Sequence, residues 1–230
     1  MQNLKISNSP VSNREDMEYN VSELVKDVRI AIDQNEVGDQ LINVLDMETL
    51  TLDQIITNKI VDAVSSVEKS APIHLLDSGE PFAKNLGWKQ AVGIGMGYTI
   101  LPDDFMRLLT FQMSDWSRSV NEVITEDSPL YAMQSSRYSG IKGCPQKPVC
   151  ALVLYPVGHV LEFYSCVEGK NVFVKRARYL PYPSIQNDTI RICEKCYRSV
   201  VYYLAGLVCS SYGGKDQADL LFGISKDLLV

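Results

Sequence analysis

The chain has 230 residues, 46% of them hydrophobic and 22% charged, and carries a formal net charge of −6. That is enough for one sizeable core, or for a helical body carrying a β insert, and the composition is ordinary for a globular protein. The acidic balance excludes an overall basic field that would draw a monomer onto nucleic acid; it leaves room for a channel through which DNA merely passes.

Residues 1–20 form a polar arm. Its opening, "MQNLKISNSPVSNRED", lacks the apolar segment of a secretory signal. The longest apolar run, Val200 to Cys209, is about half of the roughly 20 residues a membrane span needs. Six cysteines without an export signal point to reduced thiols in a cytosolic setting.

A first helix starts after Asn20, with Glu23 placed for a capping box and Leu24, Val25, Val28 and Ile32 as its apolar stripe. A second begins near Thr51, with Gln54 in the reciprocal position. Its stripe is Ile56, Ile60, Ala63, Val64 and Val67, and Pro72 follows its end.

From about residue 73 to 185 the pattern changes to strands and turns. Ser128 and Pro129 predict a short helix within residues 126–138. Val149–Tyr155, Val160–Cys166 and Val172–Tyr179 then predict a three-stranded antiparallel meander, with turns at "PVGH" and "VEGKN". Helical periodicity returns near Thr189, where Val200, Val201, Leu204, Leu207 and Val208 form a face ending at Gly213 and Gly214. A last helix, "KDQADLLFGISKDLLV", carries Leu220, Leu221, Ile224, Leu228 and Leu229 on one side.

These elements predict an α+β fold: a helical body from residues 21–72 and 186–230, with two N-terminal and two C-terminal helices. The antiparallel β-rich region of residues 73–185 is its insertion.

The stretch most suggestive of chemistry is "VGIGMGYTILPDDFMRL", residues 92–108. Gly93, Gly95 and Gly97 alternate with larger residues at the period of a strand, leaving one bare face against which another backbone can pack closely. For a dinucleotide loop the third glycine comes one residue early, and Pro102 follows soon after. "CSSYGGKD" fails as a phosphate loop, since Cys209 replaces the first glycine and Asp216 the hydroxyl. The stretch therefore reads as architectural, with Pro102, Asp103 and Asp104 turning the chain.

Cys193 and Cys196, with Cys144 and Cys150, have the residue types for a zinc tetrahedron. The Cys193-x-x-Cys196 pair, however, falls in a segment patterned as helix and without turn residues, where cysteine packs as a small apolar side chain. His74 and His159 stand in dissimilar contexts. Neither belongs to a metalloprotease motif, and nothing singles out a Cys144–His159 pair. No catalytic constellation emerges. Lys175, Arg176 and Arg178 are the one dense basic cluster, suited to backbone contact with DNA or to a solvated strand edge.

The order of these parts resembles the head–tail connector (adaptor) proteins of tailed bacteriophages. "SELVKDVRIAID" followed by "TLDQIITNKIVDAVSSVEKSAP" is similar to their opening helical pair. "GYTILPDDFMRLLTFQMSDWSRSV" is similar to the segment where the chain passes from helices into β structure. "ICEKCYRSVVYYLAGLVCSSYGGKDQADLLFGISKDLL" is similar to their closing helices. The likeness spans about residues 21–229 and is nearest to the crAss-like phages.

The resemblance implies a structural virion protein of the head–tail junction, assembled in the host cytoplasm, with no catalytic residues, no cofactor and no membrane contact. It implies a homo-oligomeric, dodecameric ring between the portal protein and the next tail or ring protein, through which DNA passes. Twelve copies would carry about −72, so contact with DNA is expected to be weak and without sequence preference, centred on Lys175, Arg176 and Arg178. Leu220, Leu221, Ile224, Leu228 and Leu229 are the expected portal or ring interface, or else the face that closes the chain's own bundle. The contrasting expectation is a small cytosolic enzyme or a zinc protein using Cys144, Cys150, Cys193 and Cys196.

Overall fold

A computed structural model describes residues 18–35, 51–83, 86–89, 95–136, 138, 140–166 and 172–230. In chain order the elements begin with β1 (Glu18–Asn20), α1 (Val21–Asn35) and α2 (Leu52–Ser70). Strands β2 (Glu80–Pro81), β3 (Leu86–Lys89), β4 (Gly95–Ile100), β5 (Phe105–Met113) and β6 (Ile124–Thr125) follow, then α3 (Pro129–Met133). After these come β7 (Cys150–Tyr155), β8 (Gly158–Cys166), β9 (Val174–Pro181), β10 (Ile185–Gln186), β11 (Thr189–Arg191), α4 (Tyr197–Ser211) and α5 (Lys215–Asp227). The fold is mixed α+β, its sheets antiparallel apart from the short parallel β6–β7 pair. None of the described helices is long and apolar enough to cross a membrane. The chain divides into two compact units, Met1–Glu68 with Pro183–Val230, and Lys69–Tyr182.

In the helical unit, local chemistry sets the helix starts. Asn20 Oδ1 accepts from the Ser22 N–H at 2.8 Å. Thr51 and Gln54 form a reciprocal capping box: the Thr51 N–H donates to Gln54 Oε1 at 2.9 Å, and the Gln54 N–H to Thr51 Oγ1 at 3.4 Å. Both predicted stripes are buried, Leu24, Val25, Val28 and Ile32 on α1 and Ile56, Ile60, Ala63, Val64 and Val67 on α2. α4 packs against both α1 and α5. Small residues bring α4 and α5 together. The Ser199 hydroxyl donates to the Ser225 carbonyl at 2.9 Å and the Ser225 hydroxyl to the Ser199 carbonyl at 2.8 Å, both fully out of water. Gly206 makes room for the Phe222 ring.

Two expectations for this unit need correction. The helix does not begin near Thr189: residues Thr189–Arg191 are β11, the middle strand of a small sheet ordered β1-β11-β10. Glu194–Cys196 is then a 3-10 turn, so the Cys193-x-x-Cys196 pair occupies a turn ahead of α4 rather than the helix. Pairing with β1, more than 160 residues away, is a non-local choice that helical periodicity does not register.

The second unit is a pair of sheets, one ordered β3-β4-β8-β7-β6 and the other β2-β9-β5. Between them lies a core of aromatic and aliphatic side chains, with Phe111, Met113, Leu161 and Phe163 fully buried. Trp116 closes it: its indole N–H donates to the Ser165 carbonyl at 3.1 Å, and its ring meets Phe111 edge-on. The β7–β8 hairpin forms as the alternation predicts, joined at Tyr155↔Gly158.

The three-stranded meander does not form. β8 takes β4 as its other neighbour, and β9 crosses to the second sheet, where it pairs with β5 and β2. Ala177, Tyr179 and Leu180 of β9 are buried there. An amphipathic strand states which of its faces is buried, but not which edge it joins. The "VEGKN" turn lies outside the described residues. The short helix is as the sequence predicts: Ser128 Oγ accepts from the Leu130 N–H at 3.3 Å, with Pro129 in the first turn.

Candidate functional site: apolar surfaces and a buried carboxylate

Within the glycine stretch, the close neighbour at Gly97 is the chain itself. Gly97 pairs with Phe163 across β4 and β8. A Cβ there would lie 2.4 Å from Phe163 Cζ and 3.0 Å from the Gly87 carbonyl oxygen. The bare face at Gly97 is filled by the molecule's own core, so it presents no gap for another subunit. Gly95 continues the pairing opposite Cys166, and Gly93 lies outside the described residues. After β4 the chain turns at Pro102, where the Phe105 N–H donates to the Pro102 carbonyl at 3.0 Å. Asp104 anchors the turn by accepting from the Tyr179 hydroxyl at 2.8 Å.

On the outer face of the five-stranded sheet lies Glu162 of β8, the one charged side chain among the described residues with no solvent exposure at all. Its strand partners are Tyr98 on β4 and Ala151 on β7. Three phenols donate to the carboxylate: Tyr131 of α3 at 3.3 Å, Tyr155 of β7, and Tyr164 of β8. Burial, and then the hydrogen bond to Glu162 and its charge, push the Tyr164 phenol far above its usual range. Burial and the same charge raise Tyr131. A carboxylate whose oxygens are engaged by phenols is a hub that holds α3 onto the sheet.

Sequence reasoning passed over Glu162. The signal was there: a carboxylate between apolar neighbours in "VLEFYSC" is unusual inside a strand, where acids are almost never fully buried unless paired.

The cysteines separate by unit. Cys144 and Cys150 belong to the β unit, Cys193 and Cys196 to the helical one. All six are free thiols, and all but Cys144 are buried. Burial pushes the Cys166 thiol up to about 12 and raises Cys150 as well, which disfavours the thiolate that a metal or an electrophile needs. Among the described residues, no three or more His, Cys, Asp or Glu side chains are grouped to hold a metal ion. His74 sits in a 3-10 turn, Ile73–Leu75.

His159 is exposed at the start of β8 and lines an open cleft of about 360 Å³ with Ile100, Pro102, Met106, Leu152 and Val157. The cleft does not include Cys144. Most of its lining residues are apolar, although Asp103 and His159 also line it, and nearby Leu154 is 63% exposed. This end of the β unit offers a contact surface.

Lys175 and Arg176 are exposed on β9, while Arg178 donates to the Gly79 carbonyl at 3.0 Å and so braces the entry to β2. The cluster is therefore part solvated and part structural.

The apolar residues of α5 do not act as one face. Leu221 and Leu229 are buried, together with Ala218 and Ser225. Leu220 is 54% and Leu228 37% exposed, and Ile224 is half-buried. The expected five-residue interface thus splits. Leu221 and Leu229 close the chain's own bundle, and Leu220, Ile224 and Leu228 remain on the surface. Gly213, at φ +83°, ends the α4 side of the connection, and the Gly214 N–H donates back to the Cys209 carbonyl at 3.0 Å. A second surface feature lies between α1 and α4: a groove of about 180 Å³ bordered by Ile30, Ala31, Val201 and Tyr202, with Asp27 and Arg198 at its rim.

The sequence matches no protein-family model and no curated protein.

Proposed function

We propose that this chain is a structural head–tail connector of a tailed bacteriophage, a ring subunit that joins the portal to the next tail or ring protein around the DNA channel. The observation that carries the reading is the division of labour within the chain. Its two ends together build a helical unit and its middle builds a β unit, and both leave large apolar side chains on regular elements. Leu220 and Ile30 on helices, and Ile100, Leu154 and Val157 at the β7–β8 end, are each more than half exposed. Such surfaces suit contact with other subunits. The resemblance in segment order supplies the kind of assembly.

The polar chemistry of the described residues is consistent with this. The buried acids, Glu68 and Glu162, hold the fold together by accepting hydrogen bonds from the chain. The net charge of −6 per chain favours a channel wall along which DNA slides.

The test is location. Antibody labelling of virions of the encoding phage, with mass spectrometry of connector complexes released from emptied heads, should place the chain at the head–tail vertex. A chain absent from virions, or found on the capsid shell or tail fibres, overturns the reading.

A further inference from the structure

Cys193 and Cys196 bracket a turn at the point where the chain leaves β11 and enters α4. The Cys196 N–H donates to the Cys193 carbonyl at 2.8 Å, so the turn closes on the two cysteines themselves. A hydrogen-bonded turn of this kind holds its first and fourth Cα atoms within about 7 Å, and a disulfide needs a separation of about 4.4–6.8 Å. Both cysteines are buried while Glu194 and Lys195 between them are exposed, so the two side chains share the inner side of the turn.

The turn is held at both ends. β11 is the middle strand of its sheet, and α4 packs against α1 and α5. From α2, the Glu68 carboxylate fixes the backbone of Cys193 through its N–H at 2.8 Å. Cys209 lies near the far end of α4, and Cys144, Cys150 and Cys166 belong to the β unit. Packing alone asks for small apolar side chains at positions 193 and 196. It does not ask for two thiols on the same side of one closed turn.

We infer that Cys193 and Cys196 form a reversible dithiol–disulfide site whose oxidant is a small-molecule disulfide. The thiolate of Cys193, which has the slight exposure that Cys196 lacks, attacks one sulfur of that disulfide and releases the other half as a thiolate. The Cys196 thiolate then displaces the second half, and the Cys193 Sγ–Cys196 Sγ bond forms. One protein dithiol and one small disulfide become one protein disulfide and two small thiols, which carry away the two protons. Burial slows the exchange, since the turn must open to admit the reagent. The inference goes beyond the connector reading and does not depend on it.

The purified full chain, equilibrated in mixtures of reduced and oxidised glutathione and then quenched with N-ethylmaleimide, supplies the test. Of the six thiols, two should be lost as the mixture becomes oxidising and should return on reduction. Trypsin cuts after Arg191, Lys195 and Arg198, so the disulfide should appear as the peptides Ile192–Lys195 and Cys196–Arg198 joined to each other. The urea midpoint of the 222 nm signal should be higher for the oxidised chain than for the reduced one, and the Cys193→Ala/Cys196→Ala double variant should lose that dependence. Peptide mapping of the parent needs no variant to fold. Retention of all six thiols, a linked pair that includes any other cysteine, glutathione adducts without the Cys193–Cys196 link, or a midpoint that oxidation does not raise overturns the inference. None of these results bears on where the chain sits in a virion, which labelling tests separately.

Discussion

Each unit buries a glutamate, and the two are used differently. In the helical unit Glu68, near the end of α2, accepts from the Cys193 backbone N–H at 2.8 Å and so satisfies the chain where it enters the 3-10 turn. In the β unit Glu162 gathers phenols from α3, β7 and β8. The first carboxylate serves the backbone, as a side-chain cap does. The second serves other side chains and organises a whole sheet face. A buried acid is tolerated in both because its hydrogen-bonding capacity is used, and the number of groups that depend on it should set the cost of its loss.

The largest expected effect follows from that count. Glu162→Leu strips the acceptor from three phenols, one of them on the buried Tyr164, and should destabilise the β unit by about 3 kcal/mol. Both tryptophans, Trp88 and Trp116, lie in that unit, so the urea midpoint of tryptophan fluorescence reads it directly. An unchanged midpoint would mean the cluster contributes nothing.

Next is Gly97→Ala, which tests whether the β unit owes its packing to the strand's bare face. With Phe163 fully buried and the Gly87 carbonyl close by, the added methyl should cost about 2 kcal/mol in the same fluorescence transition. Full tolerance would show that Phe163 can move aside.

Glu68→Leu should cost the helical unit less, about 1 kcal/mol, by leaving the Cys193 N–H without this acceptor. The transition at 222 nm, dominated by helices, is the measurement. A larger loss than for Glu162→Leu would reverse the comparison between the two glutamates.

The smallest effect is silent at neutral pH. Tyr131, Tyr164 and, in the helical unit, Tyr197 all have phenols raised above the ordinary value of about 10, chiefly by burial and then by a neighbouring carboxylate, Glu162 or Asp27. The folded chain keeps these protons while the unfolded chain releases them. The stability they contribute is therefore complete below pH ~10 and falls as pH rises beyond it. Tyrosinate absorbance of Tyr131→Phe, Tyr164→Phe and Tyr197→Phe variants against the parent should show each of these three phenols ionising at higher pH in the folded than in the unfolded chain. Ionisation of the three at the same pH in both states would contradict this.

Much of the local structure was legible because its causes lie within a few residues. The Thr51–Gln54 capping box, the Ser128 cap with Pro129, the buried stripes of α1 and α2, and the β7–β8 hairpin each depend on neighbours in sequence. Glu162 was less legible. Its isolation in an apolar strand marks it as unusual, but Tyr131 lies 31 residues away and only the fold brings that hydroxyl to it.

The amino-acid sequence by itself determined the mixed α+β class, the capped starts of α2 and α3 and the β7–β8 hairpin, because capping and turn chemistry are set by near neighbours in the chain. Tertiary structure alone decided three things. β9 joined β5 rather than β8, Cys193 and Cys196 entered a turn behind β11, and α5 kept Leu221 while leaving Leu220 outside. In each case several arrangements satisfy the same local pattern, and what selects among them is which distant apolar surface is there to be covered. On α5 the small residues of α4 admit Phe222 and Ser225 at close range, and that seating turns Leu220, Ile224 and Leu228 outward.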